Sequence, residues 1–210
     1  MKKIALVLIS ILSINLLQAQ IKAITETGEE VVLYDNGTWK YQNENQLLEI
    51  EIPTNPVPFE KNKESSFLLK SKKLNIGIYI NPKKWSFKKA SDNPDAEYEF
   101  QLKDEDLYGM LITEKVEIPL ETMKIIALEN GKTIAPDLKI VKEEYRFVNG
   151  LKILLLQMDG TIQGIKISYY GYYFSNTKGT IQFITYTSQN LLESYKFESE
   201  KLLNGLVEIN

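Results

Sequence analysis

Through much of residues 67–187, apolar side chains recur at every second position, the period of a strand with one face in a core. Leu74, Ile76, Ile78 and Ile80 alternate with Asn75, Gly77 and Tyr79. Asn81-Pro82 closes that run, because proline brings no donor to a ladder. Trp85 and Phe87 follow, then Tyr98, Phe100 and Leu102, a turn at 103–106, and a strand over Leu107–Thr113. The pattern is clearest further on. Leu138–Val148, Leu151–Met158, Ile162–Phe174 and Thr180–Thr187 read as four strands, separated by Asn149-Gly150, Asp159-Gly160 and the loop Ser175–Gly179. Asn-Gly and Asp-Gly pairs accept the positive φ of a tight hairpin, so the run predicts an antiparallel meander. Two segments change to a helical period. Pro119 suits a first turn, and Leu120, Met123, Ile126 and Ala127 share one face of a helix that should end at Asn130-Gly131. Ser188 is placed to cap a second helix, with Leu191, Leu192, Tyr195, Leu202, Leu203 and Leu206 on its apolar side and Asn204-Gly205 at its end. Strands followed by covering helices predict an α+β domain, an antiparallel sheet layered with helices.

The chain before residue 67 divides into three. Lys2 and Lys3 precede a run of about 14 mostly apolar residues, Ile4–Leu17, and Leu17-Gln18-Ala19 ends it on a small residue. A spanning helix needs roughly 20 apolar residues, so residues 1–19 read as a cleavable secretory signal peptide. The mature protein is then expected outside the cytoplasm, periplasmic or secreted, with no membrane span after cleavage. Residues 20–41 predict a small three-stranded β module: Ile21–Thr25, Val31–Tyr34 and Thr38–Tyr41, with turns at Thr27-Gly28 and Asp35-Asn36-Gly37. Trp39 is its anchor, packed as a local cap or meeting a partner. Residues 42–66 carry Pro53, Pro56 and Pro58 and read as an extended linker. Residues 67–210 form the main domain.

Composition narrows the chemistry. Without residues 1–19, which hold two lysines, 191 residues remain with 23 basic against 28 acidic side chains, a net charge of −5. Phosphate recognition needs clustered positive charge, so nucleic acid is not an expected partner. The chain contains no histidine and no cysteine. Ser-His-Asp triads, Cys-His dyads and the usual zinc sites therefore cannot form, and no glycine-rich phosphate loop is present. No cofactor and no metal is expected. Catalysis would fall to carboxylate, lysine, tyrosine or serine. Asp92, Asp95 and Glu97 form one acidic group and Asp104, Glu105 and Asp106 another, the latter where a turn recruits aspartate for backbone reasons.

Three further residues stand out. Tyr169 and Tyr173 share a strand face with Ile165 and Ile167, whereas Tyr170 and Tyr172 share the opposite one with Lys166 and Ser168. A helix packed over the second face buries Tyr170 and Tyr172; left open, they form a sticky patch for a sugar, peptide or protein. Arg146 is the chain's single arginine and shares a face with Glu144, an ion pair expected on a wet sheet surface.

These residues, taken in order, resemble the PsbP/DcrB-like superfamily of small α/β/α sandwiches. The likeness runs over about residues 67–207. It rests on the strand closing at Pro82 and Trp85, the single helix after the paired strands, and "VNG" at Val148–Gly150. "YYGYYF" at Tyr169–Phe174 and a last strand feeding the helix from Ser188 complete it. The "DNGTW" segment of the N-terminal module lies outside it and looks like short export-associated β modules. Members of the superfamily are mostly extrinsic assembly or accessory subunits and exported bacterial proteins. The resemblance therefore implies a non-enzymatic accessory or binding protein of the cell envelope, with an envelope protein or a small ligand as partner. The alternative is a carboxylate-based hydrolase of envelope glycans, which requires two acids facing each other in a pocket, one with a raised pKa.

Overall fold

The computed structural model describes residues 21–24, 30–34, 39–41, 52–91 and 93–209. The signal-peptide reading and both turns expected in the N-terminal module lie outside the described residues. That module is a three-stranded antiparallel meander, β1 (Ile21–Ile24), β2 (Glu30–Leu33) and β3 (Trp39–Tyr41). Ile21 pairs with Leu33 and Leu33 with Trp39, which sets three apolar residues in one cross-strand row.

The chain divides after Glu51, so the main unit starts at Ile52 rather than near residue 67. Part of the expected linker is in fact a strand, β4 (Thr54–Phe59), lying parallel to β10 (Lys139–Val148) at the sheet's edge. Pro56 and Pro58 are tolerated there because an edge strand needs ladder donors on one side only. Next come β5 (Phe67–Lys70), β6 (Ile76–Ile80), β7 (Trp85–Lys89), β8 (Ala96–Leu102) and β9 (Tyr108–Glu114). Helix α1 (Leu120–Lys132) leads into β10, β11 (Leu151–Ile162), β12 (Ile165–Asn176) and β13 (Gly179–Ser188). A 3-10 turn, Gln189–Leu191, then precedes α2 (Leu192–Leu203) and β14 (Leu206–Glu208).

Eight strands form the main sheet in the order β4-β10-β11-β12-β13-β9-β8-β7, antiparallel except for β4. A second sheet, β14-β6-β5, uses the chain's last strand, which the sequence pattern did not foretell. Each face of the main sheet has its own core. One holds Ile153, Leu155, Tyr170, Tyr172, Phe174 and Phe183 with Leu202 and Leu203 of α2 and Ile78 and Ile80 of the small sheet. The other holds Leu154, Leu156, Met158 and Tyr173 with Met123 and Ala127 of α1. Central strands are thus buried on both sides, and the domain is a layered α+β sandwich.

Three local details differ from the sequence pattern. The β11–β12 turn falls at Gln163-Gly164, whose φ values are 50° and 84°, rather than at Asp159-Gly160. Gly160 instead lies within β11 opposite Ile167. A Cβ on Gly160 would come within 2.9 Å of Leu138 and 3.1 Å of Ala135, so this glycine is a passage for the segment leaving α1. Helix α1 likewise runs through Asn130-Gly131 to Lys132 without a left-handed cap. Gly131 also serves close approach, since a Cβ there would sit 2.3 Å from Leu138. Ser188 gives no side-chain cap; the 3-10 turn starts α2 instead. Gly160→Val should therefore destabilise the domain by about 1–3 kcal/mol, the usual cost of overpacking. Urea unfolding followed by circular dichroism measures it.

Candidate functional site

Arg146 projects from β10 toward α2, and only 3% of it is exposed. The expected wet-face ion pair is therefore corrected. The bulge in β10 between Ile140 and Lys142 precedes Glu144, Arg146 and Val148, which all face the α2 core. Arg146 Nε donates to Glu144, and one terminal nitrogen donates to Glu200 Oε1 of α2 at 3.0 Å and to the Tyr172 hydroxyl at 3.1 Å. The guanidinium lies 4.4 Å from the centre of the Phe59 ring on β4. Tyr170 donates to Glu200 at 2.6 Å, and Tyr172 donates to Asn204 at the end of α2 at 2.8 Å. One cation thus ties together the edge strand, two sheet strands and the covering helix.

Tyr170 and Tyr172 are fully buried. The sticky patch does not exist; α2 covers that face, as a sandwich requires. Burial, together with Tyr170's bond to Glu200, pushes that phenol above its usual range. Burial pushes Tyr172 up to about 12 despite the opposing effect of Arg146. Burial would also raise Glu144, yet the hydrogen bond and charge of Arg146 outweigh it and hold this carboxyl below its ordinary value of 4.5. α1 is fastened in a similar way. Tyr145 donates to Glu121 at 2.5 Å, which lowers the Glu121 carboxyl, while burial and the same bond raise the phenol.

The other acidic candidates also have structural work. Glu97 is buried and accepts from Ser71 Oγ at 2.7 Å, Thr113 Oγ1 at 2.8 Å and the Lys72 backbone, pinning the β5–β6 loop. Asp95 is exposed, and Asp92 lies outside the described residues. Asp104, Glu105 and Asp106 occupy the expected solvated turn, where Asp104 takes a positive φ of 61° and Glu105 accepts from Tyr195. Trp39 is half exposed, in the same row as exposed Ile21 and Leu33.

Sequence reasoning missed a different aromatic group. α1 lies over β11 and β12. Further along the same sheet face, toward β7, side chains reach solvent. Tyr169, Tyr186 and Tyr108 are cross-strand neighbours there, with ring centres 6.0 Å and 5.7 Å apart. Their pairing joins β12, β13 and β9, so no short-range signal reveals it.

No family description matches the sequence, and no characterised protein matches it at the sequence level. Solved structures do match. The chain is similar to the solution structure of cyanobacterial PsbP (CyanoP) from Synechocystis sp. PCC 6803, with a TM-score of 0.51 and 14% identity over 68% of this chain and 91% of that one. The fold is PsbP-like. LpqN, involved in cell envelope biogenesis of Mycobacterium tuberculosis, is a more distant match: TM-score 0.42, 8% identity, 67% of this chain and 88% of that one. PA94, a protein of unknown function from Pseudomonas aeruginosa, matches with TM-score 0.43 and 13% identity over 67% of this chain and 95% of that one. At these identities the likeness is one of fold.

Proposed function

We propose that this chain is an exported, non-enzymatic accessory or binding protein of the cell envelope. The observation that carries this reading is the Arg146 cluster. Glu144 and Glu200 are drawn to a single guanidinium, and the Glu144 carboxyl is held charged rather than protonated. A hydrolase needs one acid with a raised pKa as proton donor. Here the acids fasten a helix. Support also comes from the PsbP-like fold, the signal-like residues 1–19, and a composition without imidazole or thiol. Among the described residues, no helix is long and apolar enough to cross a membrane.

Fractionation of the native cell, combined with the intact mass of the recovered protein, tests export. The expected product starts near Gln20 and is found outside the cytoplasm; full-length protein in the cytoplasm contradicts the reading. A panel of glycan and ester substrates tests the rest. No turnover is expected, and turnover that disappears in Glu144→Gln or Glu200→Gln with an unchanged melting curve would establish the hydrolase instead.

A further inference from the structure

We propose that the open part of the sheet face beyond α1 is a saccharide-binding platform centred on Tyr108 and Tyr186, which specifies the ligand class of the binding protein proposed above. The site is a shallow depression of about 430 Å³, lined among others by Ser86, Lys88, Glu99, Gln101, Tyr108 and Tyr186. That size lies within the roughly 300–1,000 Å³ typical of small-ligand sites. A protein partner would need roughly 800 Å² on each side.

The geometry follows from register. Ser86 lies opposite Gln101, Gln101 opposite Tyr108, and Tyr108 opposite Tyr186; Lys88 lies opposite Glu99. Directly opposed residues share a face, so the Ser86–Gln101 row runs into the aromatic row Tyr108–Tyr186, while the neighbouring Lys88–Glu99 row continues into Met110 and Ile184. The Tyr108 and Tyr186 rings are stacked, with 24° between their planes, and both are half-buried. The pair therefore stands as a firm apolar wall. Ser86, Lys88 and Gln101 are exposed beside it.

The lining decides the occupant. Lys88 and Glu99 pair at 2.9 Å, so the charges compensate each other and an ion is not the fit. The ligand must offer an apolar face to the tyrosines and several hydroxyls to an amide, a carboxylate and an ammonium group within a few ångströms. A neutral sugar ring has both: its axial C–H groups pack on aromatic surface, and its rim of hydroxyls both donates and accepts. Tyrosine suits this role because it joins ring area to a polar tip.

The test uses the mature protein and an array of neutral oligosaccharides of three to five rings, followed by NMR titration of each hit. At least one oligosaccharide should bind, with amide shifts confined to residues 86–88, 99–101, 108–110 and 184–186. Tyr108→Ala and Tyr186→Ala should each weaken it about tenfold or more. Gln101→Ala, at an exposed position that leaves the core intact, should weaken it severalfold with an unchanged melting curve. The proposal fails if no oligosaccharide shifts these residues, if the shifts cluster elsewhere, or if only peptides bind here. Hydrolysis of a bound glycan would leave the platform standing and overturn the non-enzymatic reading, so the two failures are distinct.

Discussion

Arg146→Met should lower the stability of the main domain by about 3–5 kcal/mol, the usual consequence of removing one partner from a buried charge cluster. The substitution roughly keeps the side chain's length but leaves Glu144 and Glu200 facing each other without their shared cation. Glu144 is mostly buried, with 13% of its side chain exposed, and cannot simply turn to water. The Tyr172 hydroxyl also loses its donor. Arg146→Lys should recover less than half of the loss, because an ammonium group cannot reach Glu144, Glu200 and Tyr172 together or lie flat on Phe59. Arg146→Met combined with Glu144→Leu and Glu200→Leu should recover part of it, since apolar replacement of buried charges is often neutral while the buried Tyr170 hydroxyl loses its acceptor. Urea unfolding of the four proteins separates these outcomes. The cluster also sets an acid limit. A depressed carboxyl contributes stability that is fully present above its unfolded value, near 4.5 for Glu144, and is lost as pH falls through its lower folded value. That acid-side slope should shrink in Arg146→Met.

Alkali should unfold the domain cooperatively above pH 10. Tyr145, Tyr170, Tyr172 and Tyr173 are buried, and all four phenols are pushed above their ordinary value of 10.0. Tyr172, the least shifted of them, still reaches only about 12. Their raised values add stability that is intact below pH 10 and drains away as pH climbs toward the folded values, because only the unfolded chain ionises in that window. Each tyrosine then costs about 1.4 kcal/mol per pH unit. Four together cost about 5 kcal/mol per unit, comparable to the whole stability of an ordinary domain. Tyrosinate absorbance followed alongside circular dichroism should show these phenols ionising in one step with the loss of structure. Smooth ionisation centred near pH 10 in a still-folded protein would contradict the packing described for β10 and β12.

The sequence disclosed what local periodicity can carry. Alternation locates β6, β8 and β9, Asn149-Gly150 locates a hairpin, and the period of two separates the two tyrosine faces of β12. What it hid depends on contacts distant in the chain. Asp159-Gly160 reads as a turn pair, but Leu138 and Ala135 cross over Gly160 and the turn falls at Gln163-Gly164 instead. β4 pairs with a strand some 90 residues later, and its prolines mimic a linker until the edge position is known. Glu144 was visible as the neighbour of Arg146, but Glu200 lies 54 residues further along. The Tyr108–Tyr186 stack was hidden for the same reason, because it exists only once β9 and β13 pair.

The direct measurement is a carbon-13 NMR titration of the Glu144 carboxyl in the folded protein. If Arg146 holds the interior acids as fastenings, the midpoint falls below 4.5. A midpoint near 6 or above, the range of a carboxyl poised as a general acid (about 6), would mean that Glu144 carries a proton near neutrality and that the cluster is built for catalysis.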